Sequence, residues 1–206
     1  MRTVIFSMFF VLFLFTADCF GQMCLVRCEP QPAKGFGGPC GSGFFISPNT
    51  ILTANHVIED SEKVRVEFNN QYYIAEVVKT NKNKDLALLK IDKDQDKYYN
   101  ISETEPIKGE ELVCKGFPRA VWVLHKSVGK MKETRWAWIT GSKKDQGSNQ
   151  YSVWMNVEQG MSGGPLLNKD DEALGVLSTK NADGQTIANF VSLNEIREFL
   201  NLSKVE

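Results

Sequence analysis

The chain has 206 residues, 42% of them hydrophobic, and a formal net charge of −1. That length suits one large domain or two small ones, and the apolar share is enough for a packed core. The near-neutral balance offers no basic stripe for nucleic acid and no polybasic patch for an anionic membrane surface.

The first residues stand apart. In MRTVIFSMFFVLFLFTADCFGQ, Arg2 precedes a 12-residue run from Val4 to Phe15 that is apolar apart from Ser7. A membrane-crossing helix needs roughly 20. A basic start, a short apolar middle and a small-residue exit predict a secretory signal over residues 1–21, cut near Cys19 or Gly21, with no stable membrane insertion afterwards. An uncleaved anchor is one alternative. A lipoprotein signal at Thr16-Ala17-Asp18-Cys19 is another, which Asp18 fits poorly. A secreted or periplasmic location follows, and cysteine usage agrees with it. Cleavage leaves Cys24, Cys28, Cys40 and Cys114. An even number outside the cytosol can pair, so a disulfide among the clustered Cys24, Cys28 and Cys40 is expected, with the pairing open. A zinc site at these three lacks a fourth ligand.

Next, PQPAKGFGGPCGSG is loop by composition. GFFISPNTILT reads as strand, turn and strand about Pro48-Asn49, and KVRVEF with YYIAEVV as a hairpin. KTNKNKD reads as a solvated hairpin turn, and LALLKI (Leu86 to Ile91) as a nearly continuous apolar strand. The polar stretch DKDQDKYYNISETEPIKGE marks a boundary between halves at 22–107 and 108–206. Within it Asp92, Asp94, Asp96 and Glu103 have the spacing of a calcium loop. Lys97 stands where that loop needs Gly, and no flanking helices are predicted, so a solvated loop is expected.

ELVCKGF, AVWVLHKSV, RWAWIT, YSVWMNV, GPLLN, ALGVLST and IANFVSL are further short β-type runs. Such a series predicts an all-β sandwich or barrel. Trp136 and Trp138 would share one strand face, as core or cleft lining. LNEIREFLNL alone has helical spacing, with Leu193, Ile196, Phe199 and Leu200 on one side. Few residues follow it, so no further domain is expected. Asn100-Ile101-Ser102 and Asn201-Leu202-Ser203 are glycosylation sequons.

The chemistry centres on GMSGGP at 160–165. A turn is one reading. The other is a nucleophile, Ser162, in a bend whose N–H groups also reach the reacting atom. The G-x-S-x-G spacing fits an α/β-hydrolase elbow, but that fold needs its His after the Ser. Both histidines, His56 and His125, come before it. His56 sits where the strand Ile51-Leu52-Thr53 ends. His125 lies mid-strand without small neighbours and reads as solvated. A carboxylate must orient the imidazole, and Asp85 is the acid fused directly to an apolar strand. The order His56, Asp85, Ser162 is that of the chymotrypsin type.

GSGFFISPNTILTANHVIED, DLALLKID and GMSGGPLLNKDDEALGVLS together resemble a trypsin-like serine protease, in the HtrA (DegP-like) branch, over roughly Gly41 to Leu200. The resemblance implies two antiparallel β-barrels with a C-terminal helix and an active site between the barrels. His56 would be the general base, Asp85 its orienting acid and Ser162 the nucleophile. The N–H groups of Gly160 and Ser162 would form the oxyanion hole. Asn156 would lie at the base of the substrate pocket, and Ser178, Thr179 and Lys180 would pair with substrate backbone. Lys180 could favour an acidic side chain there.

A polypeptide substrate is implied, and no metal or cofactor is called for. Two departures matter. Digestive relatives carry Asp before the nucleophile, to pair with a new N-terminus, and HtrA proteins usually carry Asn. Met161 stands here. The PDZ domain usual in that branch is not expected. The rival reading is a catalytically silent binding module on the same scaffold.

Overall fold

The computed structural model describes residues 22–29, 40–59, 61–118, 124–138, 147–180 and 186–203. The expected signal segment, most of the loop before Cys40 and residues 120–123 of AVWVLHKSV lie outside these. Among the described residues twelve strands and two short helices form. They are β1 (Met23–Glu29), β2 (Cys40–Ser47), β3 (Thr50–Thr53), α1 (Asn55–Ile58), β4 (Lys63–Phe68), β5 (Gln71–Asn81), β6 (Leu86–Ile91), β7 (Glu111–Gly116), β8 (His125–Trp138), β9 (Gly147–Trp154), β10 (Pro165–Leu167), β11 (Ala173–Lys180), β12 (Ile187–Val191) and α2 (Leu193–Phe199).

The strands close into two antiparallel barrels, β1-β2-β3-β6-β5-β4 and β10-β11-β12-β9-β8-β7. Alternation sets the first. In β4 Val64 and Val66 are buried while Lys63 and Arg65 face water. The expected turn at Pro48-Asn49 joins β2 to β3, where Phe45 pairs with Ile51. LALLKI lies between β3 and β5 and buries Leu86, Ala87, Leu89 and Ile91. Burial of each large aliphatic side chain of this kind is worth about 1.5–3 kcal/mol.

Three differences from the sequence reading have local causes. MCLVRCE, read as the start of the mature chain, is strand β1 and pairs with both β2 and β4. HKSV and RWAW, read as parts of two strands, are one 14-residue strand with an irregularity between Met131 and Glu133. The polar run KMKE masked that continuity, because β8 is the long partner of both β7 and β9 and one of its faces is wet. The expected disulfide does not form among Cys24, Cys28 and Cys114. Cys24 and Cys114 are free and fully buried. Cys28 Sγ donates to Val57 O at 3.0 Å. Cys24 and Cys28 share one strand four residues apart, about 13 Å, which exceeds disulfide reach. Cys114 packs in the core of the other barrel, with Leu112 and Leu166. Burial raises the pKa of both the Cys24 and Cys114 thiols.

The segment after β6 holds the barrels together. Tyr99 is buried, its N–H reaches Phe45 O at 2.9 Å, and its ring meets Phe44 edge-on. Two residues later Ile101 bridges Ala173 in parallel, and Ser102 N donates to Ala173 O at 3.0 Å. At the end of the second barrel α2 buries Leu193, Ile196 and Phe199, the stripe its spacing predicts.

Candidate active site

Thr53 ends β3 and one turn of helix follows, which brings His56 to the barrel rim. Its imidazole Nδ1 lies 2.8 Å from Asp85 Oδ2, and its backbone N–H donates to Asp85 Oδ1 at 2.9 Å. Asp85 is 1% exposed and also accepts from Ser178 Oγ at 2.6 Å, on Oδ2. A buried carboxylate with three donors is held in one orientation, and so is the ring it faces. Burial disfavours charge on His56, but the bond and field of Asp85, with Glu59 behind, outweigh it. The imidazole pKa is raised above its ordinary 6.5.

The GMSGGP bend comes from the second barrel and rests on the first. Ser42 N donates to Ser162 O at 2.7 Å. Ser42 Oγ donates to Gly160 O at 2.9 Å and accepts from Phe117 N at 2.8 Å. Gly163, at φ +85, lies against Ser42 O, Thr53 Oγ1 and Ala54 N so closely that a Cβ would collide. The bend therefore abuts the residues that deliver His56. Glu158 to Met161 form a turn closed by Met161 N to Glu158 O at 3.2 Å, with Gly160 at φ +96. Such a turn needs a residue tolerant of positive φ at its third position.

Within this bend Met161 N and Gly164 N point inward to Glu158 O and Met161 O. The N–H groups of Gly160 and Ser162 have no hydrogen-bond partner among the described residues. Gly160 is buried and Ser162 half-buried, and two unpartnered donors on one tight loop suit an anion that arrives with a reacting molecule. Ser162 Oγ is likewise unbonded among the described residues; no hydrogen bond closes to His56. Catalytic contacts of this type often tighten only in the substrate complex.

Beside Ser162 lies a cleft of about 250 Å³ lined by Val157, Glu158, Gln159, Leu177 and Thr179. Asn156 is exposed and does not line it. Ser178 turns its hydroxyl to Asp85 rather than to the cleft. Lys180 ends β11, and its side chain is outside the described ones, as are those of Trp136 and Trp138.

A family model for the trypsin-like peptidase domain matches residues 41–176. The chain belongs to this family. It is 30% identical over 166 residues to a probable periplasmic serine endoprotease, DegP-like, of Marinomonas sp. (strain MWYL1); the match takes in 77% of this chain and 33% of that protein. Serine protease HTR4 of Rattus norvegicus is 29% identical over 182 residues, 85% of this chain and 36% of its own. The chain spans about a third of the length of these curated relatives. The active form of the Rv3671c protease from M. tuberculosis shares the fold, with a TM-score of 0.81 at 23% identity over 90% of this chain and 81% of that one.

Against the trypsin-like pattern, Met161 is the informative departure. It is fully buried among Leu112, Cys114 and Leu166, and its sulfur lies 3.5 Å from Glu158 N. The bend is thus anchored by apolar burial where an acid would need a cationic partner. Replacing Met161 by Asp is expected to lower the thermal midpoint by on the order of 10 °C, since it buries an unpaired carboxylate. Met161→Leu keeps volume and polarity and is expected to stay within about 3 °C of wild type. Calorimetry of the two variants checks this.

Elsewhere the sequence readings divide. His125 is exposed, as expected of a solvated residue, though it begins β8 rather than lying in its middle. The calcium-type acids do not converge: Asp94 accepts from Asn49 Nδ2 at 2.9 Å, and no group of three or more His, Cys, Asp or Glu side chains gathers among the described residues. Ser42 was missed. Its only sequence signal is a lone hydroxyl between two glycines at the entry of an apolar strand.

Proposed function

We propose that the chain is a serine endopeptidase working outside the cytoplasm, secreted or periplasmic. Export rests on residues 1–21 and accords with the DegP-like relatives described as periplasmic. The barrels would divide near residue 107. The observation that carries the activity is the conjunction at one rim. His56 is locked to a buried Asp85, and Ser162 lies on a bend whose own N–H and that of Gly160 are unpartnered.

In the reaction His56 Nε2 takes the proton of Ser162 Oγ as the oxygen attacks the peptide carbonyl. The carbonyl oxygen becomes an oxyanion, held by the two amides. His56⁺ then gives its proton to the leaving amine, and the acyl-enzyme remains on Ser162. Water, deprotonated by His56, attacks the ester; His56⁺ then returns that proton to Ser162 Oγ as the acid is freed. Val157 and Leu177 bound the cleft beside Ser162 along with Glu158, Gln159 and Thr179, and their apolar surface suits an aliphatic side chain before the scissile bond.

Labelling by a fluorophosphonate probe is the test. Wild-type protein is expected to label, and Ser162→Ala to lose the label entirely. A peptide library should then show cleavage after small aliphatic residues. Folded wild-type protein that takes no label would sink the enzyme reading and favour a binding module.

A further inference from the structure

The turn that presents Asp85 is held from both sides. Asp85 has φ +56, a left-handed conformation uncommon outside glycine, though Asp and Asn tolerate it better than most residues. The turn's own bonds are local, and the one at Asp85 is long: Asp85 N to Lys82 O at 3.4 Å, beside Lys84 N to Asn81 Oδ1 at 3.1 Å. On one flank Lys82 Nζ meets Glu59 Oε1 at 2.8 Å, but both side chains are well exposed, and such pairs contribute little.

The other flank differs. Lys84 Nζ lies 2.7 Å from Glu195 Oε2 and 2.9 Å from Glu198 Oε1, and its side chain is only 16% exposed. Glu195 is itself fixed, because its Oε1 accepts from Asn149 N at 3.1 Å and Asn149 Nδ2 at 3.3 Å. A continuous set of charge-assisted bonds thus runs from β9 through α2 to Lys84, the residue beside Asp85. KTNKNKD is not the freely solvated turn its composition suggests.

We infer that Lys84 is a positioning residue for the catalytic acid, and that the C-terminal helix, through Glu195 and Glu198, is its anchor. This rests on the reading of His56, Asp85 and Ser162 as a triad. With the clamp in place the carboxylate of Asp85 stays under His56 and Ser178. Without it only the turn's local bonds and the three donors on the carboxylate hold Asp85, and the acid shifts against the ring.

The test follows fluorophosphonate labelling of the full chain against pH, below the melting temperature of every variant, and separates kinact from KI. Lys84→Met is the first variant. Lys84→Met with Glu195→Gln is the second, because it leaves no buried carboxylate unpaired and keeps an acceptor for Asn149. In both, kinact is expected to fall about 10- to 100-fold with KI within about twofold. The acid limb, set by His56 facing Asp85 and Glu59, is expected to move to lower pH. Lys84→Arg should restore kinact to within about threefold of wild type. A change of stability alone would move none of these. Folded uncharged variants that label at the wild-type rate with the wild-type pH midpoint overturn this inference alone. Wild-type labelling that survives Ser162→Ala overturns the triad reading, and this inference with it.

Discussion

Asp85→Asn is expected to lower the rate of fluorophosphonate labelling and of peptide hydrolysis about 10⁴-fold, with KM little changed and the fold intact. The reason is the set of donors around the side chain. His56 N, His56 Nδ1 and Ser178 Oγ all point at the Asp85 carboxylate. An amide of the same shape supplies one acceptor where three donors converge. Its NH₂ then faces His56 Nδ1, which can meet it only as an acceptor. The imidazole is driven to the tautomer with its proton on Nε2, so that it no longer takes the proton of Ser162. A stopped assay on well-folded Asp85→Asn protein, with activity within tenfold of wild type, would show that Asp85 does not set the tautomer.

The same substitution should displace the pH profile, and its sign follows from the causes of the His56 shift. Burial lowers the imidazole pKa, while Asp85 and Glu59 raise it past the ordinary value. With His56 as the proposed base, activity needs its neutral form, so the wild-type acid limb is expected to rise through this elevated pKa. With Asp85 neutral the chief raising influence is gone and burial remains. The limb of the variant should therefore lie at lower pH. Stability runs the opposite way. The favourable His56⁺–Asp85 interaction is fully present below the unfolded pKa near 6.5 and is lost as pH rises through the folded one.

The legible parts of this fold are those where side-chain pattern and local geometry coincide. LALLKI and KVRVEF lie in a closed barrel with inner faces as their spacing requires, and Asp85 could be picked out because an acid joined to LALLKI enters the core with it. The illegible parts depend on partners distant in sequence. β1 gains both neighbours only when β2 and β4 return to it, and its cysteines invited a different reading. Lys84 sits in a run of polar residues, and only the return of α2, 111 positions later at Glu195, removes it from water. The family resemblance implies Asn156 at the pocket base, but the backbone there takes it to the surface and leaves Val157 at the cleft.

Ser42→Ala should reduce kcat about 10²- to 10³-fold while leaving KM nearly unchanged, the size of effect that follows loss of one oxyanion donor. Ser42 lies at no expected catalytic position and is fully buried. Its hydroxyl bridges two backbone groups of the second barrel, Gly160 O and Phe117 N, from a strand of the first. The Gly160 carbonyl belongs to the peptide between Gly160 and Met161, whose N–H is fixed to Glu158 O. Held at both ends, that peptide cannot rotate, and it restrains the neighbouring, unpartnered amide of Gly160. Removing the hydroxyl leaves a buried carbonyl and a buried N–H without partners, a cost of about 1–3 kcal/mol each. Rotation of the peptide toward another donor relieves part of that cost and changes the backbone angles at Gly160, which releases the restraint on the preceding peptide and its Gly160 N–H. Thr53→Val is the discriminating control. It deletes a hydrogen bond in the same cluster, Thr53 Oγ1 to Ser42 O at 2.8 Å, but does not touch the Gly160 carbonyl. It should lower the melting temperature and keep kcat within about threefold. Equal losses of kcat in the two variants would mean that the cluster merely joins the barrels; a loss confined to Ser42→Ala would assign the oxyanion geometry to a hydroxyl on the opposite barrel.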